Sequence, residues 1–286
     1  MLRAARPGGA VTNFYDPDWV ARFYDSYGEK EWARWDRDAA QAVRFHVHAH
    51  YLRRWIKPGM RVLEAGAASG RFTQALAGLG ATVLVADLSP RQLELNQANA
   101  AEHGFDGSVE GRVLADICDL GRFPDGDFDA VVCYGGPLSY VFEARDRALG
   151  ELLRVAKPSG PVLLSVMSNW GTHQEYLYDI LHGGSVDQVM AVARGGDLHP
   201  ETWPVDTHRC HLYTAAELRA LIGSQGARVL ALSASNALAT AHHPGLDALR
   251  KDKARWRALL ELELEACANP GCLDMGTHLI AVAARP

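Results

Sequence analysis

A chain of 286 residues with 29 Lys and Arg against 34 Asp and Glu carries a formal net charge of −5, which excludes the clustered positive surface needed to track a nucleic-acid backbone. It is long enough to bury a substantial core in one α/β domain with insertions, but two full domains would be cramped. The five cysteines (Cys118, Cys133, Cys210, Cys267, Cys272) form no CxxC pair and are odd in number, so reduced thiols are expected rather than a disulfide frame.

Residues 1–12 read as a flexible tail without the apolar run of a signal peptide, and no later stretch approaches about eighteen uninterrupted apolar residues. A soluble, unexported, cytoplasmic protein is expected. Residues 13–57 mix charges with Tyr15, Trp19, Phe23, Tyr24, Tyr27, Trp32 and Trp35, then run as a helix to the Lys57-Pro58-Gly59 stop. They are expected to form a helical cap on the main domain, 58–286.

That domain begins with a strand, "RVLEAG", and a helix, "GRFTQALAGLG", whose Phe72, Leu76 and Leu79 share a face before Gly80. The strand "ATVLVADLSP" follows, with Ser89 as N-cap and Pro90 as first residue of a helix that stops at Gly104. "GRVLADICDL" supplies a third strand, "FDAVVCYGG" a fourth, "EARDRALGELLRVAKPSG" a helix and "PVLLSVMS" a fifth strand.

The rhythm then breaks over 169–212 and resumes with the helix "TAAELRALIGSQG" and the strand "ARVLALSAS". A helical insertion, 236–276, precedes the last strand, "THLIAVAAR". In the insertion, 245–268 reads as a single helix whose charges form a solvated face. Short unbroken apolar strands alternating with helices predict a doubly wound, mostly parallel sheet covered on both faces.

In such a sheet, ligands sit at the carboxyl ends of the strands, and the 66–70 turn occupies the usual anchoring place. It lacks the G-x-G-x-x-G spacing of a pyrophosphate site. Glu64, Asp87 and Asp116 stand at three successive strand ends, where they could meet cationic groups and hydroxyl or amino donors.

These stretches together resemble the class I S-adenosylmethionine-dependent methyltransferases. The family's first motif ends a strand in an acid and continues x-G-x-G-x-G, here Glu64, Gly66, Ala68 and Gly70, with Ala68 in place of the middle glycine. "VADLSP", "LADICDL" and "FPDGDFDAVVCYGG" continue the resemblance in order, over about residues 50–170. It implies a Rossmann-like, seven-stranded α/β fold and S-adenosyl-L-methionine as cofactor. Glu64 would then face the methionine amino group, with Gly66 and Ala67 close to it and Gly70 opening the helix. Asp87, next to Leu88, would take the ribose hydroxyls. Asp116 and the amide of Ile117 would meet the adenine, the backbone of Cys133 would line the site, and Tyr24 or Tyr27 would fold over the cofactor.

The implied activity is transfer of a methyl group to an O-, N- or S-nucleophile of a small molecule. The segment 169–212 would be a lid supplying the acceptor pocket. His208 or His211 is the candidate base, Tyr134 a further catalytic-side wall, and Tyr140, Trp170 and His173 candidate substrate contacts. The same cofactor could instead support aminocarboxypropyl transfer or cyclisation of its own methionine arm, or serve a non-catalytic binding module. "HRCH" at 208–211 and His242 and His243 fit no closed zinc spacing, so no metal is expected. The expected partner is a small-molecule substrate, with a second copy of the chain as the one macromolecule left open, and neither nucleic acid nor membrane.

Overall fold

A computed structural model describes residues 14–203, 208–240 and 245–286. The expected tail at 1–12, residues 204–207 of the expected lid, and His242 and His243 lie outside the described residues.

The frame is built from β1 (Arg61–Ala65), α4 (Arg71–Gly78), β2 (Thr82–Asp87), α5 (Pro90–Glu102), β3 (Val109–Leu114), β4 (Ala130–Cys133), α6 (Arg145–Val155) and β5 (Val162–Met167). It closes with α10 (Ala215–Ser224), β8 (Arg228–Ala234) and β9 (His278–Ala284). The seven strands lie in the order β3-β2-β1-β4-β5-β9-β8, and only β9 runs against its neighbours. Side chains alternate across this sheet. Leu63, Ala65, Val131, Cys133 and Leu164 enter one apolar layer with α6 and α10, while Val62, Val83, Val85, Val132 and Leu163 enter the other with α4. Nearly all of these strand residues are fully buried, which explains their unbroken apolar runs.

Ahead of the sheet come α1 (Pro17–Tyr27), α2 (Lys30–Ala33), a 3₁₀ turn (Arg34–Asp36) and α3 (Ala39–Trp55). Asp16 caps α1 by accepting from Trp19 N, and Asp38 caps α3 by accepting from Gln41 N. Val43, Val47, Tyr51 and Leu52 of α3 pack on the second apolar layer. The irregular stretch after β5 contains α7 (Asn169–Glu175), α8 (Leu177–Gly183), α9 (Val186–Gly195) and an antiparallel pair of two-residue strands, β6 (Asp197–Leu198) with β7 (Cys210–His211). Its apolar residues Val189, Val192, Trp203, Cys210 and Leu212 join Val20 and Tyr140 in a third, smaller cluster.

The structure differs from the sequence reading in three places. Strand β3 lies at Val109–Leu114 rather than at 111–120, because Asp116 Oδ1 accepts from Cys118 N at 2.7 Å and turns the chain. The expected helix over 245–268 is two, α11 (Gly245–Leu249) and α12 (Lys253–Ala268), divided where Asp252 accepts from Ala254 N and Arg255 N. Glu263 of α12, expected on a solvated face, is fully buried and accepts from the backbone of Leu238 and Ala239.

Candidate active site at the carboxyl ends of the strands

The turn after β1 is shaped by backbone that only small residues tolerate. Gly66 has φ +74°, and a Cβ there would lie 2.3 Å from Pro137 Cγ; Gly70 has φ +99°, and its Cβ would lie 2.8 Å from Asn96 Nδ2. Between them Ala68 also holds a positive φ, 47°, where the family pattern has glycine. Gly66 N and Ala67 N donate to Ala86 O, which ties the turn to β2.

Asp87 at the end of β2 completes this turn. Its Oδ2 accepts from Ala68 N and its Oδ1 from Ser89 N, both at 2.8 Å. Burial pushes its pKa up to about 6 despite those two amides, which act in the opposite sense. Gly66 to Arg71, Asp87, Leu88, Ala115 and Ile117 line a cleft whose outer walls are Tyr15, Tyr24, Arg34, Trp35, Tyr134 and Tyr140.

A second cavity, of about 550 Å³, opens beside it beneath α7, α8 and α9. Tyr24, Glu31, Arg34, Gly135 and Tyr140 line both. Phe23, Tyr27, Arg37, Gln41 and Arg44 wall the cavity from the N-terminal helices, His173, Tyr176 and Trp203 from the 169–203 segment, and His208 and His278 from either side. Tyr24 Oη donates to Tyr140 Oη at 2.9 Å, and the two rings meet edge to face.

Of the residues expected to meet a cofactor, Tyr24, Gly66, Ala67, Gly70, Asp87, Leu88 and Ile117 therefore share one cleft, and four do not line it. Glu64 is buried and turned to α4, where its Oε2 accepts from Thr73 Oγ1 at 2.6 Å; burial raises its pKa to about 8. Asp116 is engaged in its own turn, leaving Ala115 and Ile117 on the wall. Cys133 is fully buried in the first apolar layer, and burial raises its thiol pKa. Tyr27 faces only the larger cavity.

The catalytic and substrate candidates also separate. His208 faces the larger cavity, edge-on to Phe23, and burial together with the Arg34 guanidinium lowers its pKa. His211 lies off both cavities with both ring nitrogens engaged, Nδ1 by Asp197 at 2.7 Å and Nε2 by Glu217 at 3.2 Å. Burial opposes its charged form, but the two carboxylates prevail and its pKa is raised. It is a clamp between the β6–β7 pair and α10, without the free nitrogen a base requires.

Tyr134 presents its ring to the cleft, but its hydroxyl is buried without a partner among the described residues, the ring packed against Phe72 and His48. Tyr140 and His173 line the larger cavity, whereas Trp170 is half exposed and lines neither.

Sequence reasoning passed over Glu31, Arg34, Gln41, Arg44 and His278. His278 opens β9 beside Met167, so the one antiparallel strand brings a histidine to the ligand side of the sheet. Burial, together with Arg44, His48, Arg34 and His208, keeps its pKa well below the ordinary value. Among the described residues no group of three or more His, Cys, Asp or Glu could hold a metal ion, and no helix is long and apolar enough to cross a membrane.

Comparison with known proteins gives a consistent family. The Methyltransferase domain family matches residues 62–160. The demethylmenaquinone methyltransferase of Clavibacter sepedonicus is 42% identical over 110 residues, which cover 38% of this chain and 42% of that protein. The ubiquinone biosynthesis O-methyltransferase of Xanthomonas campestris pv. campestris is 31% identical over 144 residues, 47% of this chain and 56% of that one. The chain thus matches about half or less of these relatives' length. Among solved structures, the magnesium protoporphyrin IX methyltransferase of Synechocystis PCC 6803 with bound SAH superposes with a TM-score of 0.58 at 17% identity, covering 95% of this chain and 100% of that one. The cyclase SpnF superposes with a TM-score of 0.57 at 19% identity, covering 94% and 97%. Both show the fold.

Proposed function

Since this chain carries a class I S-adenosylmethionine-dependent methyltransferase domain, we propose that it transfers a methyl group from S-adenosylmethionine to a small-molecule acceptor. The observation that carries this reading is the pair of adjoining cavities sharing Tyr24, Gly135 and Tyr140 at the carboxyl ends of the strands. One is suited to the cofactor and the other to the acceptor.

The cleft's chemistry fits the cofactor. Each Asp87 oxygen accepts one backbone amide, which leaves lone pairs for two ribose hydroxyls. The small residues of the 66–70 turn leave the backbone approachable, and Tyr15, Tyr24 and Tyr134 supply aromatic faces for a cation. When bound, S-adenosylmethionine supplies a methyl group on a sulfonium, an electrophile that requires a nucleophile in line.

The rest is the work of the chain itself. Tyr24 and Tyr140, locked by their hydroxyl pair, narrow the passage between the cavities and fix the acceptor's approach. The segments 13–57 and 169–212 act as cap and lid that exclude water, and holding the reactants in this way can supply on the order of 7 to 11 kcal/mol at best. His208, neutral at pH 7 and facing the acceptor cavity, accepts a proton at a ring nitrogen if the nucleophile arrives protonated.

Incubation with S-adenosylmethionine and a panel of phenols, quinols, carboxylic acids and amines, read by mass spectrometry, is expected to give S-adenosylhomocysteine and one methylated product. Methylthioadenosine in its place would mean attack at another sulfonium carbon, and binding without turnover over the whole panel would mean a cofactor-binding module.

A further inference from the structure

The larger cavity is walled by Phe23, Tyr27, Tyr176 and Trp203, which suit an aromatic acceptor, but its charges do not suit an anion. Each of its arginines already faces a carboxylate. Arg34 Nε donates to Glu31 Oε1 at 2.7 Å, Arg37 Nε donates to Asp38 Oδ2 at 2.9 Å, and Arg44 pairs with Glu175, while Asp179 adds a further carboxylate to the wall. No net positive charge is left to offset a buried carboxylate on the acceptor.

His278 stands on the sheet itself, paired with Met167 where β9 meets the end of β5. A site on a strand is held more precisely than one on a loop. Its ring walls the same cavity, and its Nε2 lies 3.9 Å from where a Cβ on Gly136 would stand, one residue from the Gly135 junction with the cleft.

The other ring nitrogen decides what Nε2 can do. Asn236 Oδ1 accepts from the Thr277 amide at 3.3 Å and from Thr277 Oγ1 at 3.4 Å, which uses the single proton of that hydroxyl. Thr277 Oγ1 therefore meets His278 Nδ1, 3.4 Å away, with a lone pair, and Nδ1 carries the ring's proton. Nε2 keeps a lone pair. Arg44 and His48 of α3, Arg34 of the 3₁₀ turn, and His208 surround the ring and hold it neutral, so it takes a hydrogen bond rather than a proton.

We infer that His278 is a specificity-determining residue of the acceptor cavity: its Nε2 accepts a hydrogen bond from a second hydroxyl of a neutral aromatic acceptor, a hydroxyl that is held and not methylated. The reacting hydroxyl is the one that meets His208. This inference rests on the methyltransferase reading given above and names the class of its acceptor.

The test is an NMR titration of the full chain, labelled with nitrogen-15 histidine and saturated with S-adenosylhomocysteine, at about pH 8, where histidine is ordinarily neutral. The probes are hydroquinone, resorcinol and catechol, with the methoxyphenol and the hydroxybenzoate that match each. One diol should bind about tenfold or more tightly than its methoxyphenol and its hydroxybenzoate, because neither of these offers the second donor. The Nε2 resonance of His278 should report an unprotonated nitrogen in the absence of probe and move with the diol but not with the methoxyphenol.

His278→Phe should abolish the preference for the diol, and His278→Gln, whose amide oxygen still accepts, should keep part of it. Both should leave S-adenosylhomocysteine affinity within about twofold, since His278 does not line the cofactor cleft. A parent without the preference, a Phe variant that retains it, a protonated Nε2, or binding of none of the probes overturns the assignment. If His278→Phe does not fold, the Gln variant and the Nε2 resonance of the parent decide. A parent that fails to bind S-adenosylhomocysteine refutes the methyltransferase reading itself, a result distinct from normal cofactor binding with a diol preference that ignores His278.

Discussion

Replacing Asp87 with asparagine separates what this side chain does for folding from what it does for a ligand. In the fold its two oxygens accept from Ala68 N and Ser89 N. An amide can satisfy one of these and must turn its own N–H groups toward the other, leaving a donor unpaired at a cost of about 1 to 3 kcal/mol. Against that, the buried carboxylate is itself unfavourable. A pKa raised from 3.8 to about 6 means that the folded state holds its proton more tightly than the unfolded chain, so stability falls as pH rises from about 4 to 6. A difference of that size between the folded and unfolded chain corresponds to about 3 kcal/mol, all of it relieved by Asp87→Asn above pH 6. The two effects nearly cancel at neutral pH, and the variant should melt close to the parent there.

Ligand binding should not be spared. Losing a charged acceptor of two hydroxyls costs about 1.5 to 3 kcal/mol, or roughly ten- to 150-fold in S-adenosylhomocysteine affinity. For the parent, affinity should rise as pH passes upward through about 6, because the hydroxyls favour the carboxylate, and binding below that pH should release a proton. Calorimetry in buffers of different ionisation enthalpy reads both effects. Affinity of Asp87→Asn within threefold of the parent, with the same pH dependence, would refute the placement of the ribose.

Three further changes follow from the geometry. Gly66→Ala should destabilise the protein by about 2 to 4 kcal/mol in urea denaturation, since the Cβ opposes a positive φ and meets Pro137; a loss below about 0.5 kcal/mol would show that the turn is not held as described. His211→Gln should lower stability more near pH 6 than near pH 8.5, because a histidine whose pKa is raised by carboxylates contributes fully below its unfolded pKa and loses that contribution as pH passes its folded value. Equal losses at both pH values would remove the charged clamp. Once an acceptor is known, His208→Ala should cut turnover by about a hundredfold with S-adenosylhomocysteine affinity unchanged, and parental turnover would leave positioning as the whole mechanism.

Much of the frame was legible because its signals are local. Apolar runs gave the strands, Ser89-Pro90 and Gly80 marked helix ends, and the small residues of the 66–70 turn located the ligand side. What failed was mostly the direction in which a side chain points. Glu64 lies two residues beyond Val62 and therefore on the α4 side of β1, toward Thr73. Strand alternation contained this information, but the resemblance to a family pattern drew attention to the motif position instead. The Glu31–Arg34 pair and His278 left no such trace. Their place depends on how the N-terminal helices fold back over the sheet and on β9 running antiparallel beside β5, contacts between segments far apart in sequence.

The central claim is that the cleft over the 66–70 turn binds S-adenosylmethionine and opens on a separate acceptor cavity. The measurement that bears on it most directly is a crystal structure of the protein soaked with S-adenosylhomocysteine. The account predicts the ribose on Asp87, the adenine against Ala115 and Ile117, and the sulfur at the Gly135–Tyr140 passage, facing the cavity that His208 and His278 wall. A ligand bound elsewhere, or in the cleft with its sulfur turned away from that passage, would contradict it.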